Sequence, residues 1–260
     1  GVGVLEDDTV IASSWMGSMT SLIDSGITPG KVSQRYPLSE CKLHAPLRPS
    51  KVLCAGRNYA AHAAETGNEV PATPLIFAKF SSGIIATDEP ITWRTALTTQ
   101  VDWEGELAVI INKRTKDITA EQAPGRIFGY CIANDVSARD LQNNDGQWAR
   151  AKGMDTFLPL GPYIATRDEI PDPQALHIKT TVNGEVMQDA STSEMIHGVY
   201  SLVAFLSQAF TLEPGDLILT GTPAGVGMGM TPPRYLNDGD VVSVTIDGLG
   251  TLTNPCKILA

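Results

Sequence analysis

The sequence predicts an α+β, β-rich fold, with a small N-terminal domain over residues 1–48 and a larger domain over residues 49–260. Three observations lead there. Short apolar runs bounded by turn residues recur along the chain, as at 51–55, 75–80, 127–133, 217–219 and 241–246. Only one stretch has sustained helical spacing: Met195, Ile196, Val199, Leu202, Val203 and Leu206. The run Ala45-Pro46-Leu47-Arg48-Pro49 reads as a linker that sets the first 48 residues apart.

Taken in order, residues 3–11 form a hairpin signal around the acidic turn Glu6-Asp7-Asp8, and a short helical piece precedes Gly26. The strand at 51–55 delivers the chain to Gly56-Arg57-Asn58-Tyr59-Ala60-Ala61-His62-Ala63-Ala64-Glu65-Thr66-Gly67. There Asn58 is a candidate cap, the alanines favour a helix of about two turns, and Gly67 can end it. So short a helix is marginal by itself, which suits a mobile lid. Strands follow at 75–80 and 84–85, and Thr119-Ala120-Glu121-Gln122 has capping-box spacing before the strand at 127–133. Residues 137–161 are polar and punctuated by glycine, which predicts a long loop of the kind that carries sites. The turn Asn183-Gly184 joins two alternating runs into a hairpin. The long helix is expected behind the capping candidates Ser191 to Ser193, and Asp247-Gly248 turns the last two strands.

A chain of 260 residues can bury a sizeable core. The formal net charge of −10 and pI near 4.8 argue against nucleic acid or an anionic membrane as partner, since both require a basic surface. Small polar molecules fit better. Cys41, Cys54, Cys131 and Cys256 show neither disulfide nor zinc spacing and read as free thiols. No run approaches the ~20 apolar residues of a membrane helix, and no basic-then-apolar leader opens the sequence. The expectation is a soluble, cytoplasmic protein.

The chemistry concentrates between residues 102 and 155. In Asp102-Trp103-Glu104-Gly105-Glu106-Leu107-Ala108-Val109-Ile110-Ile111, a strand would place Asp102, Glu104 and Glu106 on one face. Carboxylates directed toward a core are costly unless positive charge compensates them. Asp135, at the end of its own apolar segment, can add an oxygen ligand, and the set then suits a hard divalent cation. With Lys152 beside them, Glu104, Glu106, Asp135 and a dication would sum to zero charge and could be buried. The plain alternative is a solvated acidic edge, common on exposed strands.

Other motifs are less specific. Thr220-Gly221-Thr222-Pro223-Ala224-Gly225-Val226-Gly227 is glycine-rich, but it is neither a phosphate loop nor a dinucleotide fingerprint, so no nucleotide cofactor is expected. Its amides and the Thr222 hydroxyl can still meet a carboxylate, or form a plain tight turn. His62 and Glu65 stand three residues apart on the short helix, where their side chains can meet. Arg57 lies just upstream. Arg139 and Gln142 follow Asp135 and can bind an anion or simply face solvent.

These pieces together resemble the fumarylacetoacetate hydrolase family. The resemblance covers about residues 50–258 and rests on Gly56-Arg57-Asn58-Tyr59 with His62, the 102–108 segment, Asn134-Asp135-Val136-Ser137-Ala138-Arg139-Asp140-Leu141-Gln142, Ala151-Lys152 and Thr220-Gly221-Thr222-Pro223. It implies a mixed β-sandwich roll with a variable N-terminal part, usually in homodimers. It also implies Glu104, Glu106 and Asp135 as ligands of Mg2+ or Mn2+, with Ca2+ also able to occupy the site, Lys152 beside them, and His62 with Glu65 as a lid dyad. A small anionic 2-oxo acid is then the expected substrate, with Arg57, Tyr59, Arg139, Gln142, Gly221 and Thr222 as its contacts. The first expectation is a metal-dependent hydrolase of an acylpyruvate or related 2,4-dioxo acid, in which His62 activates water. The alternatives are oxaloacetate decarboxylation or 2-hydroxy-dienoate isomerisation on the same site; a non-catalytic 2-oxo-acid binding protein is disfavoured by the complete ligand set. Two positions depart from the family's habit: Phe80 where many members have Pro after the lysine, and Gly153 where many have Ser. Both are expected to alter pocket shape and so the substrate.

Overall fold

In the computed structural model, which describes residues 1–260, Gly3–Glu6 (β1) and Thr9–Ser13 (β2) form the expected hairpin, and Lys31–Pro37 (β3) completes an antiparallel sheet. Met19–Ser25 (α1) lies between β2 and β3. Ser18 caps it by accepting the Ser21 N–H, and Gly26 ends it with left-handed backbone. Ile23 of α1 is buried with Leu47, Val52 and Leu217, so this segment shares a core with the body of the protein.

The chain continues through Val52–Gly56 (β4), Ala60–Glu65 (α2), Leu75–Lys79 (β5), Ile84–Ile85 (β6), Ile91–Arg94 (β7), Val101–Asp102 (β8) and Gly105–Ile111 (β9). A capped turn of 3-10 helix over Ala120–Arg126 leads into Ile127–Asn134 (β10), Ser137–Ala138 (β11), Arg139–Asn144 (α3), Ala149–Lys152 (α4) and Leu158–Thr166 (β12). His177–Val182 (β13) and Glu185–Ser191 (β14) are the Asn183-Gly184 hairpin, with both turn residues at positive φ as a two-residue turn requires. Val199–Ala209 (α5), Leu217–Leu219 (β15), Val241–Ile246 (β16) and Gly250–Leu259 (β17) complete the fold.

Two sheets dominate. One has seven strands in the order β5-β4-β15-β9-β10-β12-β6, and the other has five in the order β14-β13-β16-β17-β7. Strand β9 is central to the first and buried on both faces, as its unbroken apolar run demands. Leu107, Val109 and Ile111 face a core shared with Ile178, Val244, Ile246 and the α5 residues Val199, Val203 and Leu206. Ala108 and Ile110 alternate to the opposite face, against Val52, Cys54, Cys131 and Leu219. Each such aliphatic side chain contributes about 1.5–3 kcal/mol by leaving water.

Three expectations need correction. Asn58 does not cap α2: its side-chain amide donates to the carbonyls of His197 and Thr220, while its oxygen accepts the His197 N–H. The long helix begins at Val199 rather than Met195, because Asn58 takes the His197 backbone groups and Gln174 accepts the Val199 N–H. Residues 137–161 are not a simple loop. They hold α3 and α4, which bring Arg139 and Lys152 to the carboxylates.

Candidate active site

Antiparallel register builds the site. Strands β9 and β10 pair Glu106 with Ala133 and Gly105 with Asn134, and the Asp135 N–H donates to the Glu104 carbonyl at 2.8 Å. Glu104, Glu106 and Asp135 consequently project from neighbouring positions on one face, with the small Ala133 leaving room between them. One carboxylate oxygen of each lies within 4.8 Å of the other two, and all three residues are buried. Gly105, between the glutamates, faces the other way. A Cβ there would press into Thr180 and Val244 of the second sheet.

Positive charge surrounds this cluster. Lys152 Nζ donates to Glu104 Oε2 at 2.9 Å and to Asp135 Oδ2 at 2.8 Å, and Lys79 Nζ donates to Asp135 Oδ1 at 2.6 Å. Arg139 Nη1 reaches Glu104 Oε1 at 2.7 Å, while its Nε holds Asp102 Oδ2 at 2.8 Å. Asp102 is fully buried and also accepts the N–H groups of Trp103, Gly227 and Met228. It therefore positions Arg139 and stands outside the carboxylate trio. Lys79 carries no role in the sequence reading. Its signal was a lysine inside the apolar strand Leu75-Ile76-Phe77-Ala78-Lys79, a placement that requires a buried acid as partner.

Four buried carboxylates thus meet three cations, and the one left without a cationic partner is Glu106. Its Oε2 accepts the Gly221 N–H at 2.7 Å and no ion pair reaches it. Burial, with Asp135 and Glu104 adding repulsion, pushes its carboxyl well above the usual range. At Glu104 burial pushes the same way, but Lys152 and Arg139 outweigh it and hold the carboxyl low. Burial pulls the Lys152 ammonium down, and Asp135 with Glu104 more than reverse that, so it remains charged. Three converging oxygen donors and an unmatched negative charge fit a hard divalent cation such as Mg2+ or Mn2+.

Across from the cluster, His62 Nδ1 lies 2.8 Å from Glu65 Oε1 on α2. An ionised carboxylate only accepts, so Nδ1 carries the proton and Nε2 is left as the basic nitrogen. Glu65 Oε2 accepts the Gly225 N–H at 2.8 Å, which fastens α2 to the 220–229 loop. That single loop holds three carboxylates, Glu106, Glu65 and Asp102, through its backbone amides. Gly221 (φ 94°) is essential to it: a Cβ there would lie 2.7 Å from Asn58 Cβ, and its backbone is left-handed.

His62, Glu104, Glu106, Arg139 and Lys152 line one cavity of about 350 Å³, together with Arg57, Gln142, Thr222, Phe77 and Trp148. Of the expected substrate contacts, Arg57, Arg139, Gln142 and Thr222 reach it. Gln142 Oε1 accepts from Arg139 Nη1, and Thr222 Oγ1 donates to the Gly105 carbonyl while accepting from Gln188. The Gly221 amide is occupied by Glu106. Tyr59 does not line the cavity, because its side chain is buried in the apolar core with Leu53, Leu107 and Met195. Arg139 Nη2 is buried and has no protein partner.

No helix is long and apolar enough to cross a membrane. Residues 51–257 match the family model described as the fumarylacetoacetate (FAA) hydrolase C-terminal region. The chain is 51% identical over 228 residues to Protein Rv2993c of Mycobacterium tuberculosis, covering 88% of this chain and 83% of that one. It is 45% identical over 223 residues to the oxaloacetate tautomerase YisK of Bacillus subtilis, covering 84% and 74%. The crystal structure of 2-hydroxyhepta-2,4-diene-1,7-dioate isomerase from Mycobacterium marinum superposes with a TM-score of 0.82 at 45% identity, covering 96% of this chain and 88% of that one. Fold and sequence agree over nearly the whole chain, which therefore belongs to the fumarylacetoacetate hydrolase family.

Proposed function

We propose that this enzyme interconverts the enol and keto forms of a small 2-oxo diacid of the oxaloacetate class, with Mg2+ or Mn2+ held by Glu104, Glu106 and Asp135. One observation carries the reading. His62, its tautomer fixed by Glu65, lines the same small cavity as the carboxylate cluster and its cations. A proton acceptor thus faces the place where a 2-oxo acid would be held.

The chemistry supplied by such a cation is Lewis-acid stabilisation of negative charge on the substrate's 2-oxygen. His62 Nε2 takes a proton from C3 of the keto form. Lys152, with two N–H groups engaged by Glu104 and Asp135, has a third to donate as a hydrogen bond to the enolate 2-oxygen. The proton that completes the enol comes from solvent and His62 gives the C3 proton back to solvent, so both residues end in their starting charge state. The reverse reaction returns the proton from His62 to C3. Arg139 Nη2 and Arg57 meet the distal carboxylate by charge-assisted hydrogen bonds.

The names of the relatives, a tautomerase and a dienedioate isomerase, support proton transfer over bond cleavage. Hydrolysis of an acylpyruvate would use the same residues but requires water at His62. Proton transfer asks less of the site: it needs only the basic Nε2 of His62, whose ring Glu65 orients while tied to the Gly225 amide. Decarboxylation of oxaloacetate shares the enolate requirement and differs in the bond broken.

The test follows enol-oxaloacetate by its ultraviolet absorbance with Mn2+, alongside pyruvate release from oxaloacetate and from acetylpyruvate. Wild-type protein should speed enol loss without releasing pyruvate. His62→Ala should lose about 10²–10⁴-fold of that rate and keep its Mn2+ affinity by calorimetry. Faster pyruvate release from acetylpyruvate than enol conversion would make the enzyme a hydrolase; pyruvate from oxaloacetate would make it a decarboxylase.

A further inference from the structure

The cavity lining is mostly polar, and Trp148 is the largest of its few apolar members, which include Ala55, Phe77 and Met228. Phe77 meets Trp148 edge to face, with centroids 5.2 Å apart and planes at 68°. Trp148 also packs onto bare backbone, since a Cβ on Gly56 would sit 3.1 Å from Trp148 Cζ3. The Arg57 guanidinium lies 6.0 Å from the indole centroid. Arg57 adopts left-handed backbone (φ 55°), an uncommon conformation for a residue with a side chain, and that side chain lines the cavity.

The chain on either side of the ring is tied together. Asp145 and Arg150, on either side of Trp148, form a two-pronged ion pair at 2.7 and 2.6 Å. The Trp148 carbonyl accepts the Lys152 N–H at 2.9 Å, so the two residues stand at either end of one helical turn, i and i+4, on the same face. Phe77 touches both: Lys152 Nζ lies 4.9 Å from its centroid. Two positions further along β5, on the same face, Lys79 holds Asp135. The Trp148 indole and Lys152 are consequently parts of one unit: their backbones stand one helical turn apart, and the Phe77 ring packs against both side chains.

We propose that Trp148 is the specificity-determining residue of this cavity: its indole sets the reach of the substrate chain, admitting a four-carbon 2-oxo diacid whose distal carboxylate meets Arg57, and rejecting longer ones. This rests on the tautomerase reading for the reacting end, but the wall itself is defined by packing. With the 2-oxo end held at the carboxylate cluster, a chain lengthened by a methylene would carry its distal carboxylate beyond Arg57 toward the indole that Arg57 overlies.

The experiment measures binding as well as turnover. Calorimetric titrations with oxalacetate's longer homologues, 2-oxoglutarate and 2-oxoadipate, are made in Mg2+ with wild type, Trp148→Ala and Trp148→Phe. Wild type should weaken about tenfold per methylene. Trp148→Ala should flatten that series, binding 2-oxoadipate about tenfold or more tightly than wild type does, with Trp148→Phe intermediate. Mn2+ affinity should be unchanged in both variants, because Trp148 touches none of the three carboxylates. Equal slopes in wild type and Trp148→Ala, or in wild type and Trp148→Phe where the alanine variant does not fold, would overturn the proposal. A wild-type series without slope would do the same. Failure to turn over enol-oxaloacetate would instead overturn the tautomerase reading, and the binding series would still judge Trp148.

Discussion

The Phe80 ring occupies the space that a side chain at Gly153 would take: a Cβ on Gly153 would lie 2.6 Å from Phe80 Cδ2. The two positions that depart from the family's habit are therefore in contact, and each accommodates the other. The Ala149 carbonyl also crowds Gly153, at 2.5 Å from the same Cβ. Gly153→Ser should destabilise the protein by about 1–3 kcal/mol through overpacking. Adding Phe80→Ala should recover the part due to the ring and leave the part due to the carbonyl. Urea midpoints of the two single variants and the double variant check this; strict additivity would show that the residues do not interact.

Lys79 is the second cation on Asp135, and both are almost fully buried. Lys79→Met should cost about 3–5 kcal/mol in metal-free protein, because it leaves a buried carboxylate with one partner fewer. Mn2+ should stabilise this variant more than wild type, since the ion supplies the missing positive charge. Thermal melts with and without Mn2+ measure the difference, and an equal gain in both proteins would contradict it.

Glu65 fixes the His62 tautomer through one oxygen and holds the Gly225 amide through the other. Glu65→Gln can keep one of these contacts as acceptor and loses the charge that supports a protonated imidazole. Turnover should fall on the order of 10²-fold with little change in KM. Steady-state kinetics on enol-oxaloacetate separate the two constants, and a rise in KM alone would make Glu65 a binding residue.

Cys256 has no part in the site and reports on alkaline stability. Burial, then Asp240 and Asp238, pushes its thiol from the usual 9.0 up to about 12. A value raised in the folded state contributes stability that is complete below pH 9 and lost as pH rises toward about 12. The loss approaches about 1.4 kcal/mol per pH unit in that window. Cys256→Ala should flatten the decline between pH 9 and 12 relative to wild type. Denaturant midpoints across that range test it.

Much of this protein is legible in its sequence, because the signals are local. Period-two alternation puts Glu104 and Glu106 on one face, Asn183-Gly184 dictates a hairpin turn, and His62 with Glu65 follows from helical spacing. Asp102 shows the limit of the same rule: periodicity groups it with the glutamates, whereas β8 ends there and the Gly227 and Met228 amides turn it toward Arg139. Nothing local pairs Lys79 with Asp135 across 56 positions, or leaves Glu106 as the one carboxylate without a cation. Nor does spacing reveal that Trp148 and Lys152 line one cavity, since residues 137–161 resemble loop until α3 and α4 find their places. The sequence determined the fold class and the donor set, through patterns that local geometry alone enforces. Strand register and long-range packing decided which charges meet, which carboxylate is left without a cation, and which side chains line the cavity, because those depend on contacts between segments that the chain brings together only on folding.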